Sequence, residues 1–330
     1  MVKMKSLIAI AALLAAGPSF GQQALRGNVK DQISQVQEAI QRTGAKWVAG
    51  ETSVSANPAN WKYYVGLNFQ PIKAPPISLS RSGRLPASLD WRNHGGDFVT
   101  PARDQGQCGS CWAFAMTGGL EAYVLRTQNM PGQDLDLSEQ VMISCSGAGS
   151  CQGGQLDASF IKSTGLPPES DYPYTATDGT CSDAAQGWQS EAYKVADWGS
   201  INQSVNDLKA ALNQYGPLPT AMMVYEDFMH YKSGVYSYTS GKKLGGHGIL
   251  LVGYNDKGQY FIVKNSWGPN WGENGFFRIS YSEVGSSQTD FGLSTIAYSD
   301  GGMKAPSALA QSEKTWQRVA PMFDGTKAWN

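Results

Sequence analysis

The sequence predicts an α+β fold, in which a mainly helical half precedes a β-rich half. Residues 111–126 are almost entirely apolar and predict a buried helix. Gly118 and Gly119 lower the helix propensity of this segment, which indicates close packing against a neighbouring element. Ser138 is a plausible N-cap for a further short helix over residues 139–143. Three later apolar runs, bounded by turn residues, predict strands at 249–254, 260–264 and 275–279.

The composition is that of a loop-rich globular protein. The chain has 330 residues, of which 41% are hydrophobic and 38 are glycine, so about two domains are expected and disorder is not indicated. The net charge is −1 and only 16% of residues are charged. This balance excludes a field that would gather nucleic acid or an anionic membrane.

The N-terminus has the pattern of a targeting signal. Lys3 and Lys5 precede an apolar run over residues 7–16, and the small residues Ser19 and Gly21 suit a cleavage site. The run is shorter than the roughly 20 apolar residues that span a bilayer. We therefore expect residues 1–21 to be a signal peptide, although a buried N-terminal helix is an alternative. Secretion would then be extracellular, periplasmic or into a lysosome-like compartment, without a stable membrane anchor.

Residues 22–84 form a region of their own. Apolar residues at helical spacing predict a helix over residues 28–42, capped by Asn28 and ended by Gly44. Prolines between residues 71 and 76 predict an extended stretch, and residues 81–84 a flexible basic linker. This region is either an extension without activity or an inhibitory segment that lies along a cleft.

The strongest signal is a motif at the start of the predicted buried helix. It reads Gln105-Gly106-Gln107-Cys108-Gly109-Ser110-Cys111-Trp112. A cysteine that begins a helix lies where backbone N–H groups and the helix dipole stabilise a thiolate. Cys-Gly-Ser-Cys-Trp is the local signature of the papain and cathepsin nucleophile, with His and Asn about 130–150 residues downstream. Here His247 and Asn265 follow Cys111 by 136 and 154 residues. The chain therefore resembles papain-family cysteine proteases from about Leu85 to Ser299.

The resemblance implies a papain-like two-lobed fold, with Cys111 on the central helix of a helical lobe and His247 and Asn265 on a β-barrel-like lobe. Cys111 would be the nucleophile, and His247 would transfer protons. Asn265 would orient the imidazole, and Trp267 would shield their hydrogen bond from water. Gln105 would complete the oxyanion hole. Of the chain's three histidines, which include His94 and His230, only His247 matches the family pattern.

Five cysteines are an odd number for an exported protein, which predicts one free thiol. Cys111 is the natural candidate for it. By the resemblance, Cys108 pairs with Cys151, and Cys145 pairs with Cys181.

The resemblance also places a substrate-binding surface, whose predicted members are Gly153, Gly154, Leu156, Ala221, Gly248, Trp267 and Ile296. Those around the second residue before the scissile bond are Leu156, Ala221, Gly248 and Ile296. All four are apolar, which predicts a preference for apolar side chains and discrimination against arginine. Residues 46–50 look like the short propeptide of the cathepsin B group. The histidine-bearing loop of that group has no counterpart between Gly154 and Cys181, which predicts an endopeptidase.

The resulting prediction is a secreted cysteine endopeptidase, made as a zymogen. Residues 22–84 would be its propeptide and intramolecular inhibitor, 85–300 its peptidase domain, and 301–330 an extension of unknown role. We expect polypeptide substrates, a monomer, and neither metal nor cofactor. One alternative is a catalytically inactive papain-like protein that binds or inhibits. Another is a C-x-x-C redox or zinc protein, which would need a βαβ setting or two further ligands.

Overall fold

The computed structural model describes residues 28–69, 74–77, 79–80 and 83–300, together with the backbone of residues 20–27. The predicted signal peptide lies outside these residues except for its last two positions. Part of the predicted linker and the whole of the predicted C-terminal extension, residues 301–330, also lie outside them.

The α-helices are α1 (Phe20–Thr43), α2 (Cys111–Thr127), α3 (Glu139–Cys145), α4 (Ser159–Ser163) and α5 (Val205–Tyr215). Short 3-10 helices lie at Pro58–Tyr63, Trp91–Asn93, Glu169–Asp171, Cys181–Asp183, Trp188–Ser190, Glu226–His230 and Tyr281–Glu283. The strands are β1 (Lys46–Ala49), β2 (Ser88–Asp90), β3 (Gly149–Ser150), β4 (Gly153–Gly154), β5 (Asp197–Ser200), β6 (Leu218–Tyr225), β7 (Tyr231–Tyr236), β8 (Lys243–Asn255), β9 (Tyr260–Lys264), β10 (Phe276–Ser280) and β11 (Ile296–Ser299). None of the helices in the described residues is long and apolar enough to cross a membrane.

The principal sheet has the order β1-β7-β10-β9-β8-β2, and β6 also pairs with β8. Its pairings are antiparallel except for β10 with β7. Two smaller sheets join β11 to β5 and β3 to β4. The three predicted strands are therefore present as part of β8, β9 and β10. Helices α2, α3 and α4 precede most of this sheet in the chain. The helices and the sheet form the two lobes of the predicted α+β fold.

Helix α2 is buried between the helical part and the sheet, and this explains its apolar sequence. Its residues from Cys111 to Leu125 are all buried. A Cβ at Gly119 would lie 2.7 Å from Cγ of Pro219 on β6, so the close packing predicted for this glycine is present. Ser138 caps α3, since its Oγ accepts a hydrogen bond from the Val141 N–H at 3.1 Å.

The predicted helix over residues 28–42 is longer than expected. It begins at Phe20, so Asn28 is not its N-cap. The reason is that residues 22–26 (Gln-Gln-Ala-Leu-Arg) favour helix and continue it upstream. Its end agrees with the prediction, because Thr43 is the last helical residue and Gly44 follows with φ +71°.

We call the described residues between 20 and 84 the N-terminal segment, and residues 85–300 the main unit. The segment docks as an added strand, because β1 pairs antiparallel with the edge strand β7. Trp47 on β1 is buried against the ring of Tyr236 at 5.2 Å, and its Nε1 donates to Ser237 O at 3.0 Å. Farther along, the extended residues Pro75 to Ile77 exchange hydrogen bonds with Ser200 on β5.

Candidate active site

Cys111 is the first residue of α2, and its thiol is fully buried. The Gly248 N–H donates to its Sγ at 3.3 Å. A Cβ on Gly248 would lie 3.0 Å from Cys111 O, so this position has little room for a side chain. The helix N-terminus and the Gly248 N–H favour a negative charge on the sulfur.

His247 lies opposite Cys111 on the neighbouring lobe. It lies within β8, which begins at Lys243 and therefore starts earlier than the strand predicted at 249–254. His247 Nε2 is 2.7 Å from Asn265 Oδ1. Since a carboxamide oxygen can only accept, Nε2 carries the proton of the neutral ring. His247 Nδ1 is buried without a hydrogen-bond partner among the described residues, which leaves that nitrogen available for proton exchange.

Trp267 covers the histidine. Its ring lies 4.8 Å from the His247 ring with a tilt of 33°, and its exposed fraction is 1%. Water therefore has little access to the hydrogen bond between His247 and Asn265. The Trp267 indole donates in turn to Tyr64 O of the N-terminal segment at 3.2 Å.

The side chain of Gln105 is buried, with its amide group beside the loop that carries Cys108. Its Nε2 donates to Cys108 O at 3.0 Å and to Tyr63 O at 2.9 Å. Its Oε1 accepts from Ser266 Oγ at 2.7 Å, which fixes the amide so that the NH₂ group points into the cleft. Sequence reasoning gave no role to Ser266, although it lies in the Asn-Ser-Trp-Gly motif.

The N-terminal segment passes directly over this site. Leu67 pairs with Gly154 in parallel and with Gly246 in antiparallel orientation, so the segment joins the two lobes as a strand. The Gly66 N–H donates to Gly246 O at 2.9 Å, and it lies close enough to Cys111 to favour a negative charge on the sulfur. A Cβ on Gly66 would lie 2.1 Å from Gly109 O, so only glycine fits there. The importance of Gly66 was not evident from the sequence, because it depends on contact with a distant loop.

Burial beneath the segment alters both titrating groups. Desolvation raises the pKa of the Cys111 thiol to about 12, despite the N–H donors around the sulfur. Desolvation also lowers the pKa of His247 to about 4, although its hydrogen bond to Asn265 opposes this. In the covered state, the pair is therefore a neutral thiol and a neutral imidazole.

The structure links Cys108 to Cys151 and Cys145 to Cys181, with sequence separations of 43 and 36 residues, and Cys111 is free. These are the pairs that the family resemblance implies. Closing loops of this length contributes up to about 4 kcal/mol in the chain-entropy estimate. Because Cys108 bonds to Cys151 and not to Cys111, the C-x-x-C sequence is not a dithiol or disulfide pair here.

Of the other predicted substrate-binding residues, Gly153 and Gly154 lie against the segment. Gly153 and Gly154 form β4, and Gly154 exchanges main-chain bonds with Gly66 and Asn68. Leu156, Ala221 and Ile296 are buried apolar residues with exposed fractions of 5% or less. A Cβ on Gly246 would lie 2.5 Å from the ring of Phe69. An apolar side chain of the segment therefore packs against β8 next to His247.

Comparison with known proteins identifies the family. The family model of papain family cysteine proteases matches residues 85–295. The chain belongs to the papain family. A cathepsin L-like proteinase of Fasciola hepatica is 38% identical over 205 residues, which are 59% of this chain and 60% of the relative. Pro-cathepsin H of Mus musculus is 39% identical over 215 residues, which are 61% of this chain and 62% of the relative. The chain thus spans about three fifths of these relatives.

Among solved structures, the digestive procathepsin L2 proteinase of Tenebrio molitor superposes with a TM-score of 0.72 at 26% identity. The match covers 86% of this chain and 95% of that one. The likeness therefore extends beyond the main unit into the N-terminal segment.

Proposed function

We propose that this protein is a secreted cysteine endopeptidase made as a zymogen. The observation that carries the proposal is the constellation at the head of α2. Cys111 begins the helix and His247 is fixed by Asn265, while Gln105 presents an amide N–H in the same cleft. These are the parts that acyl transfer through a thiol needs: a nucleophile, an oriented proton carrier and an oxyanion donor.

In the proposed mechanism, the uncovered site regains water, and the thiol proton moves to His247 Nδ1. The Cys111 thiolate attacks the scissile carbonyl carbon, while the Cys111 N–H and Gln105 Nε2 hold the oxyanion. The imidazolium then gives its proton to the leaving amine. Finally, water attacks the thioester with His247 as the base, which releases the acid product and restores the thiol.

We propose that residues 22–84 are the inhibitory propeptide and residues 85–300 the peptidase domain. The segment supports this by the way it occupies the cleft. Tyr63 O accepts a hydrogen bond from the Gln105 amide at 2.9 Å, and the Gly66 backbone lies beside the Cys111 sulfur. The neutral thiol beneath this cover is a poor nucleophile. Cleavage near Arg84, outside the buried contacts, would release the segment.

The proposed specificity is for an apolar side chain at the second residue before the scissile bond. Leu156, Ala221 and Ile296 supply apolar surface, and Gly248, which pairs with Ala221, adds no polar side chain beside them. Burying a Leu, Val or Phe there contributes roughly 1.5–3 kcal/mol. An arginine would lose hydration without gaining a carboxylate partner from these four residues.

The experiment is hydrolysis of fluorogenic Phe-Arg and Arg-Arg peptides by the full chain after acid processing, with Cys111→Ala as the matched control. We expect wild type to cleave Phe-Arg at least about tenfold better, and the control to be inactive. Inactive, processed wild type with an intact thiol would favour an inhibitory or binding protein instead. Equal cleavage of Arg-Arg, or release of dipeptides only, would contradict the specificity alone.

A further inference from the structure

Tyr174 joins the two loops on which the proposed reaction depends. Its hydroxyl donates to Gln105 O at 2.7 Å and pairs with Ser110 Oγ at the same distance. Since Gln105 O can only accept, the Tyr174 proton is directed to it, and Ser110 supplies the proton of the second bond. Gln105 is the oxyanion donor, and Ser110 precedes the nucleophile.

The backbone of Gln105 is therefore fixed from both lobes. On the sheet side, the Gln105 N–H donates to Ser266 O at 2.9 Å, and Ser266 Oγ also bonds the Gln105 side chain. On the helical side, the bond from Tyr174 secures the carbonyl of the same residue. A donor that must meet a developing oxyanion at about 2.7–3.1 Å depends on such supports.

Tyr174 is itself held in place. Its backbone N–H donates to Glu169 Oε1 at 2.5 Å, and the next residue, Thr175, donates to Gln140 Oε1 at 3.0 Å. Its ring packs edge-to-face on Phe114 of α2, with centroids 4.9 Å apart. The Tyr174 hydroxyl thus connects the loop that carries Gln105 to a rigid part of the helical lobe.

We propose that Tyr174 is a positioning residue, which aligns the Gln105 amide with the Cys111 end of α2 so that both meet the same substrate carbonyl. This inference rests on the proposed function. The hydroxyl acts through Gln105 and Ser110, and takes no part in proton transfer.

The test compares Tyr174→Phe with Tyr172→Phe in the processed enzyme. Both changes remove one phenolic oxygen and keep the ring, but the Tyr172 hydroxyl bonds Thr180 O, away from the cleft. For Tyr174→Phe we expect kcat to fall about tenfold with KM within twofold, since the loss falls on the oxyanion donor and not on substrate binding. We expect Tyr172→Phe to keep the wild-type kcat.

A double-mutant cycle then separates positioning from a general structural role. If Tyr174 acts through Gln105, Tyr174→Phe should have less than a twofold effect on kcat in a Gln105→Ala background. An undiminished loss in that background, an unchanged kcat in Tyr174→Phe, or an equal loss in Tyr172→Phe would each overturn the proposal. A wild-type enzyme without hydrolytic activity would contradict the proposed function and, with it, this inference.

Discussion

Two histidines lie beneath the N-terminal segment, one in the cleft and one on the face where the segment docks. His247 and His230 are both buried, with exposed fractions of 0% and 1%. Each has an Nδ1 without a hydrogen-bond partner among the described residues. Desolvation lowers the pKa of each to about 4. Burial and protonation alone therefore do not distinguish them.

The neighbouring residues distinguish the two histidines. His247 is oriented by Asn265 and covered by Trp267, and its strand neighbour Gly248 donates to the Cys111 sulfur. His230 instead meets the ring of Trp61 edge-on at 5.8 Å, and its backbone oxygen accepts from Gly50 of the segment. The comparison teaches that a buried histidine with a lowered pKa is catalytic only where a nucleophile and an orienting group lie beside it. At His230, we expect the lowered pKa to be linked to docking of the N-terminal segment.

The sharpest test of this difference is to remove each imidazole. We expect His247→Ala to lower kcat of the processed enzyme by at least about 10⁴-fold, as loss of the proton carrier does in other triads. We expect His230→Leu to keep kcat within twofold, since leucine can still pack against Trp61 and this position lies away from the nucleophile. Comparable losses in the two variants would mean that His230 is part of the catalytic machinery.

The next prediction concerns the cover that both histidines share. Gly66→Ala places a Cβ 2.1 Å from Gly109 O, where no rotamer change can relieve the clash. The segment must then lift from Cys111, and we expect about 100-fold more activity from the unprocessed chain. The measurement is the initial rate at neutral pH, with gels that show intact protein.

Gly44→Ala is the control for the Gly66 variant. It strains the segment at a positive φ, but its Cβ meets nothing within 4 Å, and α1 ends there, far along the chain from the cleft. We expect the Gly44 variant to remain inhibited. Equal activation by both variants would indicate general loosening of the segment and not obstruction at the crossing point.

The third prediction removes the partner that distinguishes His247. In Asn265→Ala, the imidazole loses the bond that fixes its tautomer and ring plane. Loss of a hydrogen bond to the charged imidazolium costs about 1.5–3 kcal/mol, which corresponds to about a 10- to 150-fold lower kcat. Steady-state kinetics should show little change in KM. An unchanged kcat would mean that Trp267 alone orients the ring.

Much of the site could be predicted because its residues lie in short, specific motifs. Cys111, His247 and Asn265 each occur in a local sequence that is typical of the family, and the strand patterns at 260–264 and near 276 need only local periodicity. The start of α1 was missed for a local reason as well, since Asn28 resembles a cap but good helix formers precede it.

The rest depends on contacts between distant parts of the chain. Gly66 is one of 38 glycines, and only the approach of Gly109 makes it irreplaceable. His230 looks like an ordinary residue at the end of a 3-10 helix until Trp61 is packed on it. No periodicity or spacing rule relates positions so far apart in sequence.

The smallest expected effect is the pH dependence of docking at His230. The segment covers the ring and holds it neutral, with a pKa lowered from 6.5 to about 4 by desolvation. Release of the segment restores water and the ordinary pKa. Above pH 6.5 both states are neutral, so docking is at full strength. As pH falls from 6.5 towards 4, the released state takes up a proton that the docked state does not, and docking weakens by up to about tenfold per pH unit.

The charged groups near His230 come from both sides of this interface. The cavity beside it is lined by Glu38 and Arg42 of α1 and by Glu226 and Asp227 of the main unit. Burial raises the pKa of Asp227 to about 6. Its hydrogen-bond donors, Tyr236, Thr239 and Ser240, all belong to the main unit and remain after release. The part of this burial that α1 supplies is lost on release, which lowers the pKa of Asp227 and opposes the effect of His230 as the pH falls. Because Asp227 is present in both wild type and His230→Leu, its contribution cancels when the two are compared.

The measurement is the rate of self-processing of the full chain between pH 7 and pH 4.5, for wild type and for His230→Leu. The pH dependence of the chemistry is common to both and cancels in their ratio, provided that the processed enzymes have matching pH profiles. We expect similar rates at pH 7 and up to about tenfold faster processing of wild type at pH 5, because only wild type gains a proton at the interface. A constant ratio over this range would mean that His230 stabilises docking by packing alone, and that acid sensitivity, if present, arises from carboxylates elsewhere in the interface.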